Sequence, residues 1–375
     1  MTVTNPQTMS NPDHVGPGPS NSILDVDGLR VGHAAAEAPG ALSGTTVVLA
    51  DPDVLTEGMV GGVDVRGGGP GTRETDLLDP RNVVERIHAV CLTGGSAFGL
   101  GAADGVMAGL FSDGIGLPMG APGEVVPLVP SAVVFDLGRG GVFGAHPDAA
   151  TGAAAYRAAR VGGPVEVGCV GAGRGAKAGG FKGGVGTASA TCADGSVVAA
   201  LVVCNSLGEV VAPDGTFHAA SVLLPQDTPE AELRAPSSAD LEAARRAAVD
   251  VPAQVVGRPG LATTIGVVAT DVTLTKAQCA KLAGVGHDGI GIAVRPAHTM
   301  LDGDTLFGLS TTRRPAPDLP GFHDILTQAS LVVARAVVGA VLAATTVTTP
   351  AGTWRAYADA FPSAFGARGG RSGNG

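Results

Sequence analysis

Aromatic side chains are nearly missing: they make up 3% of the 375 residues, and Trp354 is the only tryptophan. The core must therefore be built from Ala, Val and Leu. Charge is also scarce, at 15% against 45% hydrophobic residues, which excludes a disordered tail or a nucleic-acid-binding arm. No Lys/Arg cluster occurs, and the formal net charge is −10, so DNA, RNA and anionic membranes are poor partners. The five cysteines (Cys91, Cys169, Cys192, Cys204, Cys279) form no C-x-x-C pair and read as reduced thiols rather than a disulfide framework. No run of ~18 apolar residues is present, so no membrane span is expected. Residues 1–22 lack both a basic stretch and an apolar stretch and read as a disordered extension, not a signal peptide. These absences together predict a cytoplasmic globular protein, and its length allows two or three domains or one large one.

What is abundant is glycine, 59 of 375 residues, about 16% against a usual ~7%. There is no Gly-x-y period, so the excess implies tight turns and backbone packed close to backbone. Short apolar runs at 45–50, 60–65, 125–137, 165–170, 185–191, 196–203, 263–270 and 305–311, bounded by Gly, Pro or Asp, predict strands. Apolar residues spaced by three and four from Ala97 to Leu110 predict a helix capped by Ser96, and a second helix is expected over 148–161. Further helices are predicted over 239–249, from a Thr275 cap to about Val294, and over 325–344, the last apolar all round. Loops are expected at 224–238 and from 250 to about Leu261. Long apolar helices mixed with buried strands predict an α/β fold in layers.

Three stretches carry candidate chemistry. Gly171-Ala-Gly-Arg-Gly-Ala176 after an apolar run fits a dinucleotide loop, but the glycines of 179–184 leave no helix to open there, and a tight turn is the better reading. No P-loop and no G-x-S-x-G elbow occurs; Gly94-Gly95-Ser96 runs on into Ala97-Phe98. His287, Asp288, His298, Asp302 and Asp304 are oxygen and nitrogen donors that could hold a divalent metal, although Asp-Gly-Asp is also ordinary turn chemistry. Thr263 stands where a Pro/Gly-rich loop meets a buried strand. Taken alone it reads as structural.

Several stretches together resemble the DmpA-type L-aminopeptidase/D-esterase family, which includes the nylon-oligomer (6-aminohexanoate oligomer) endohydrolases. They are DVDGLRVGH (25–33), VDVRGGGPGTRETDLL (63–78), LTGGSAFGLGAADGVM (92–107), VPLVPSAVVFDL (126–137), GAGRGAKAGGFKGGVGTAS (171–189), TTIGVVATD (263–271), HDGI (287–290) and RPAHTMLDGDTLF (295–307). The resemblance runs in order over nearly the whole chain from about residue 23. It implies a single domain over 23–375, an αββα sandwich similar to N-terminal-nucleophile hydrolases. It also implies a precursor that cuts itself between Ala262 and Thr263 into chains of 1–262 and 263–375, freeing Thr263 as the N-terminal nucleophile. A threonine hydroxyl needs a nearby base, and a freed α-amine, with an unperturbed pKa of about 7.7–8.0, supplies one on the same residue.

By the same resemblance Lys182 matches the active-site lysine, sharing a proton with Thr263 or stabilising negative charge. Asn205 matches an oxyanion donor. Asp302 and Asp304 match paired aspartates that hold Thr263 in place, and Tyr156 a position near the substrate pocket. The implied substrates are small peptides, amino-acid amides or esters, or linear ω-amino-acid oligomers, with no cofactor and no metal. The implied assembly is a homo-oligomer, a tetramer. One departure stands out: the threonine branch usually has asparagine before the nucleophile, and here that residue is Ala262. An uncut, silent homologue with a binding or structural role is therefore one alternative, and a metal-dependent hydrolase built on His298, Asp302 and Asp304 is another.

Overall fold

The computed structural model describes residues 16–249 and 262–366. Two sheets lie face to face between two layers of helices. The first sheet holds β1 (Leu29–Ala35), β2 (Gly44–Ala50), β4 (Ala89–Thr93) and β5 (Ser131–Val133), in the order β1-β2-β4-β5 with Thr72–Arg73 at the edge, while β3 (Met59–Val65) lies in the other sheet. The second holds β6 (Gly184–Thr191), β7 (Val197–Asn205), β8 (Thr263–Val272) and β9 (Thr305–Arg314), in the order β6-β7-β8-β9-β3 with Arg86–Ile87 at its edge. Helices α1 (Ala102–Ser112) and α2 (Ala149–Val161) cover the first sheet, and α3 (Lys276–Ala293) and α4 (Leu319–Leu342) cover the second. This is the αββα sandwich.

The strands β2, β7 and β8 are buried at every position, because both faces of each sheet are covered. β7 and β8 run antiparallel, whereas β8 and β9 are parallel, joined by α3 as a crossover helix. Thr275 caps α3 with a reciprocal capping box to Gln278, as the sequence predicts. Small residues fill the role that aromatics usually play. Where α1 crosses α2, a Cβ on Gly105 would lie 1.8 Å from the Ala149 carbonyl oxygen, and one on Gly152 the same distance from that of Ala102. Only glycine permits that approach. Helix α4 has the length and apolarity of a membrane span, but 67% of its most apolar window is buried inside the molecule, so it serves as a core helix.

Several expectations need correction. The run 125–137 is not one strand: Val125–Val126 pairs with Leu117–Pro118, and only Ser131–Val133 joins the sheet. Pro127 and Pro130 lack the N–H groups a continuous ladder requires. The run 165–170 makes a single bridge, Gly168 to Val185. Ser96 is the first residue of a short turn of helix, Ser96–Gly99, whose N-cap is Gly95. Order also begins before Ile23. Gly16 bridges Thr191, and the Asn21 side chain accepts from Arg335 and donates to Asp227, so residues 16–22 are tied to the core. The rest of the predicted extension and the predicted loop to 261 lie outside the described residues.

Candidate active site

Thr263 is the first residue of β8, 5% exposed, and it faces Asn205 across the β7–β8 ladder. Its Oγ1 donates to the Ala262 carbonyl oxygen at 2.5 Å. Ala262 itself is pinned beside Asp302 by a parallel bridge: its N–H donates to the Leu301 carbonyl (3.0 Å), and its carbonyl accepts from the Gly303 N–H (2.9 Å). The 262–263 peptide therefore has a hydroxyl against its carbonyl oxygen and a backbone donor on the same oxygen. That donor partly replaces the polarising amide which an asparagine at 262 would offer. A Cβ on Gly303 would stand 2.8 Å from Thr263 Oγ1 and 2.7 Å from the Gly69 oxygen, so this approach requires glycine.

Asp302 and Asp304 are both 2% exposed and divide the work. Asp302 Oδ2 accepts from Thr299 N (2.9 Å) and Thr299 Oγ1 (2.7 Å), which shapes the turn that carries Gly303. Asp304 Oδ1 accepts from the Thr264 N–H at 2.6 Å, fixing the strand one residue past the nucleophile. Its Oδ2 accepts from His298 N (3.2 Å) and pairs with His298 Nδ1 (2.8 Å). Burial alone would lower the His298 pKa, but the Asp304 carboxylate overrides it and holds the imidazole above its usual value. His287 stacks edge-on against His298, and burial pushes its pKa down to about 4, so it stays neutral. The two histidines entered the sequence reading only as metal donors. Here His298 is the partner of Asp304, and among the described residues no three His, Cys, Asp or Glu side chains converge as a ligand set.

Lys182 is fully buried, and its Nζ donates to three carbonyls: Gly173 (3.0 Å), Ala176 (2.9 Å) and Gly183 (2.7 Å). Burial pulls its pKa down to about 8. All three ammonium hydrogens are thus taken up by carbonyls of the 173–183 turn, and none is given to Thr263. The Gly-rich stretch 171–176 also turns out opposite in polarity to a phosphate loop. It presents carbonyl oxygens to cations, with Gly173 and Ala176 serving Lys182 and Gly175 serving Arg139.

Asn205, 1% exposed, accepts at Oδ1 from Arg139 Nη1 (2.5 Å) and Lys177 N (3.0 Å), while Nδ2 donates to the Phe135 carbonyl at 3.3 Å. Two obligate donors on one side fix which end of the amide is oxygen, and the –NH2 end is left as the available donor. Arg139 carried no motif in the sequence and was missed. Its Gly-Arg-Gly-Gly setting after the 126–137 stretch marks a turn and no more. Tyr156 is not brought to this group: it is buried on α2, and its hydroxyl donates to Asp113 Oδ2 at 2.8 Å.

A family model described as peptidase family S58 matches residues 21–355. An "uncharacterized aminopeptidase" of Mycobacterium tuberculosis is 44% identical over 359 residues, 92% of this chain and 99% of that protein. A 6-aminohexanoate-oligomer endohydrolase of Agromyces is 29% identical over 304 residues, 80% of this chain and 77% of the other. Among solved structures, a Burkholderia β-aminopeptidase superposes with a TM-score of 0.69 at 22% identity, covering 93% of this chain and 95% of its own. The L-aminopeptidase D-Ala-esterase/amidase of Ochrobactrum anthropi, described as a variant of the Ntn hydrolase fold, gives 0.61 at 24%, covering 91% and 92%.

Proposed function

Because the chain belongs to peptidase family S58, we propose that it cuts itself between Ala262 and Thr263 and then hydrolyses small amides with Thr263 as the nucleophile. The observation that carries this reading is the doubly engaged Ala262 carbonyl, with Thr263 Oγ1 on one side and the Gly303 N–H on the other. In maturation the Thr263 oxygen bonds to the Ala262 carbonyl carbon, and the C–N bond breaks as the nitrogen takes the hydroxyl proton. Water then opens the ester, leaving a carboxylate on Ala262 and a free α-amine on Thr263. That amine, of a type whose unperturbed pKa is about 7.7–8.0, takes the hydroxyl proton when a substrate carbonyl is attacked and returns it to the leaving amine. Water hydrolyses the resulting acyl-threonine in the same way.

Asp304, held by His298, fixes the strand behind the nucleophile. Asn205 Nδ2 is the side-chain donor placed across the ladder for the tetrahedral oxygen, a type of contact worth about 3–4 kcal/mol where one is removed. Lys182 and Arg139 supply positive charge on the same flank. Nucleophile, base and donors all come from the chain, so the reaction needs no cofactor, and activity is expected to be indifferent to a chelator. The substrates are peptides with a free N-terminal residue, amino-acid amides and esters, or linear ω-amino-acid oligomers. Greater identity to the mycobacterial aminopeptidase than to the oligomer endohydrolase favours the first.

Intact mass and N-terminal sequencing of fresh protein test the reading. Fragments of about 26 and about 11 kDa from the 36.7 kDa chain, the smaller beginning Thr-Thr-Ile-Gly, are expected, and Thr263→Ala should stay whole and inactive. A wild-type chain that remains whole on long incubation would instead favour the silent, uncut alternative.

A further inference from the structure

Two arginines near the core use their donors in opposite ways. Arg335 is 2% exposed and engages every nitrogen: Nε and Nη2 on Asp227, Nη2 also on Asn21, and Nη1 on the Ser189 carbonyl. That is how a structural arginine behaves. Arg139 engages one nitrogen only. Its Nη1 donates to the Gly175 carbonyl and to Asn205 Oδ1, both at 2.5 Å. Of the five guanidinium hydrogens this leaves three, on Nε and Nη2, with no acceptor among the described residues. The side chain is half-buried, and neither of those nitrogens is among the fully enclosed polar atoms that lack a partner. Enough protein surrounds the group that burial pulls its pKa to about 10, which still leaves it charged at neutral pH. A charged fork with its inner end on Asn205 and its outer donors open is the arrangement that binds a carboxylate.

The surrounding charge agrees. Arg139 lies within electrostatic reach of both Lys177 and Lys182, and it depresses the proton affinity of each. Two carboxylates lie within reach of the three cations: Asp136, whose Oδ1 accepts the Gly95 N–H and whose Oδ2 has no hydrogen-bond partner among the described residues, and Glu209, which accepts the N–H of Gly180, so positive charge predominates. Such a flank repels the ammonium at a peptide's N-terminus and attracts an anion. The ammonium belongs to the acyl half of an aminopeptidase substrate, so the anion belongs to the leaving half.

We infer that Arg139 is a specificity-determining residue that receives a free carboxylate on the leaving side of the scissile amide, so that the favoured substrates are short peptides with an unblocked C-terminus. This rests on Thr263 being the nucleophile, and cleavage by mass is checked first so that failure of that reading is seen separately. The test compares a dipeptide with its C-terminal amide on the matured enzyme. Wild type should favour the acid by tenfold or more in kcat/KM, mainly through KM. Arg139→Lys should keep part of that preference, and matured Arg139→Met should bring the ratio near one, with kcat on the amide also reduced through Asn205. A wild-type ratio near one, or a preference retained in Arg139→Met, overturns the inference. Should Arg139→Met fail to mature, inhibition of wild type by N-acetylglycine and by N-acetylglycinamide decides. Competitive inhibition by the acid at tenfold lower concentration supports the subsite, and equal or absent inhibition by the acid rejects it.

Discussion

The two flanks of Thr263 are built on different principles. On one flank a single short segment, 298–304, supplies everything: Asp304 and His298 behind the strand, Asp302 shaping the turn, and the Gly303 N–H on the Ala262 carbonyl. On the other flank Asn205, Arg139, Lys177 and Lys182 come from three separate stretches, held together by carbonyls of the 173–176 turn. The first flank touches the 262–263 bond. The second reaches it only through Asn205, the partner of Thr263 in the β7–β8 ladder. On the proposed mechanism, self-cleavage and turnover are therefore expected to be separable, the first depending on the local anionic flank and the second on the assembled cationic one.

The sharpest test of that division is Asn205→Ala. It should still cut at 262–263, because Gly303 serves that carbonyl, while kcat falls by about 10²–10³-fold. Loss of cutting on a gel would merge the two flanks into one. A smaller effect is expected from Asp304→Asn, which keeps an acceptor for the Thr264 N–H but removes the charge that His298 faces. Cutting should slow by roughly tenfold, as hydrogen bonds to a charged partner are worth about 1.5–3 kcal/mol. The His298 pKa, followed by NMR, should fall back from its raised value. An unmoved titration would detach His298 from the site.

Acid stability probes the scaffold that both flanks share. Burial pushes the pKa values of His33, His88 and His287 to about 4, below the unfolded value of 6.5. Their contribution is fully present above pH 6.5 and is lost as the pH falls toward 4, because the unfolded chain then binds protons the native state refuses. Up to about 3 kcal/mol each is at stake, and denaturant melts between pH 7 and 4.5 should show a steep decline. The smallest effect concerns assembly: light scattering should give a multiple of 36.7 kDa, a tetramer on the family pattern, with no change in the cut.

Legibility divides along the same line as the flanks. Asp302-Gly303-Asp304 is one motif, and Thr263 opens one apolar run, so resemblance to known sequences located both. The layered fold was readable for a related reason: strands such as β7 and β8 are continuous apolar runs that only a doubly covered sheet explains. Arg139 and the role of His298 were not readable, because each depends on which distant chain its side chain meets. Asn205 and Lys182 were found only as positions, and their actual partners, a guanidinium and three carbonyls, leave no periodic mark. Proline set the other limit, at Pro127 and Pro130, where apolar content suggested a strand and the missing N–H groups forbade one.

The bond between Ala262 and Thr263 joins residues only 6% and 5% exposed. A foreign protease has little access to it, and a hydroxyl meets it only once β8, the 303 turn and Ala262 have come together. On the proposed mechanism a cut at this place is a receipt for correct folding, issued once per molecule and never withdrawn. The fraction of chains carrying it in a cell extract would count every molecule that ever reached the native state, including those that later lost it.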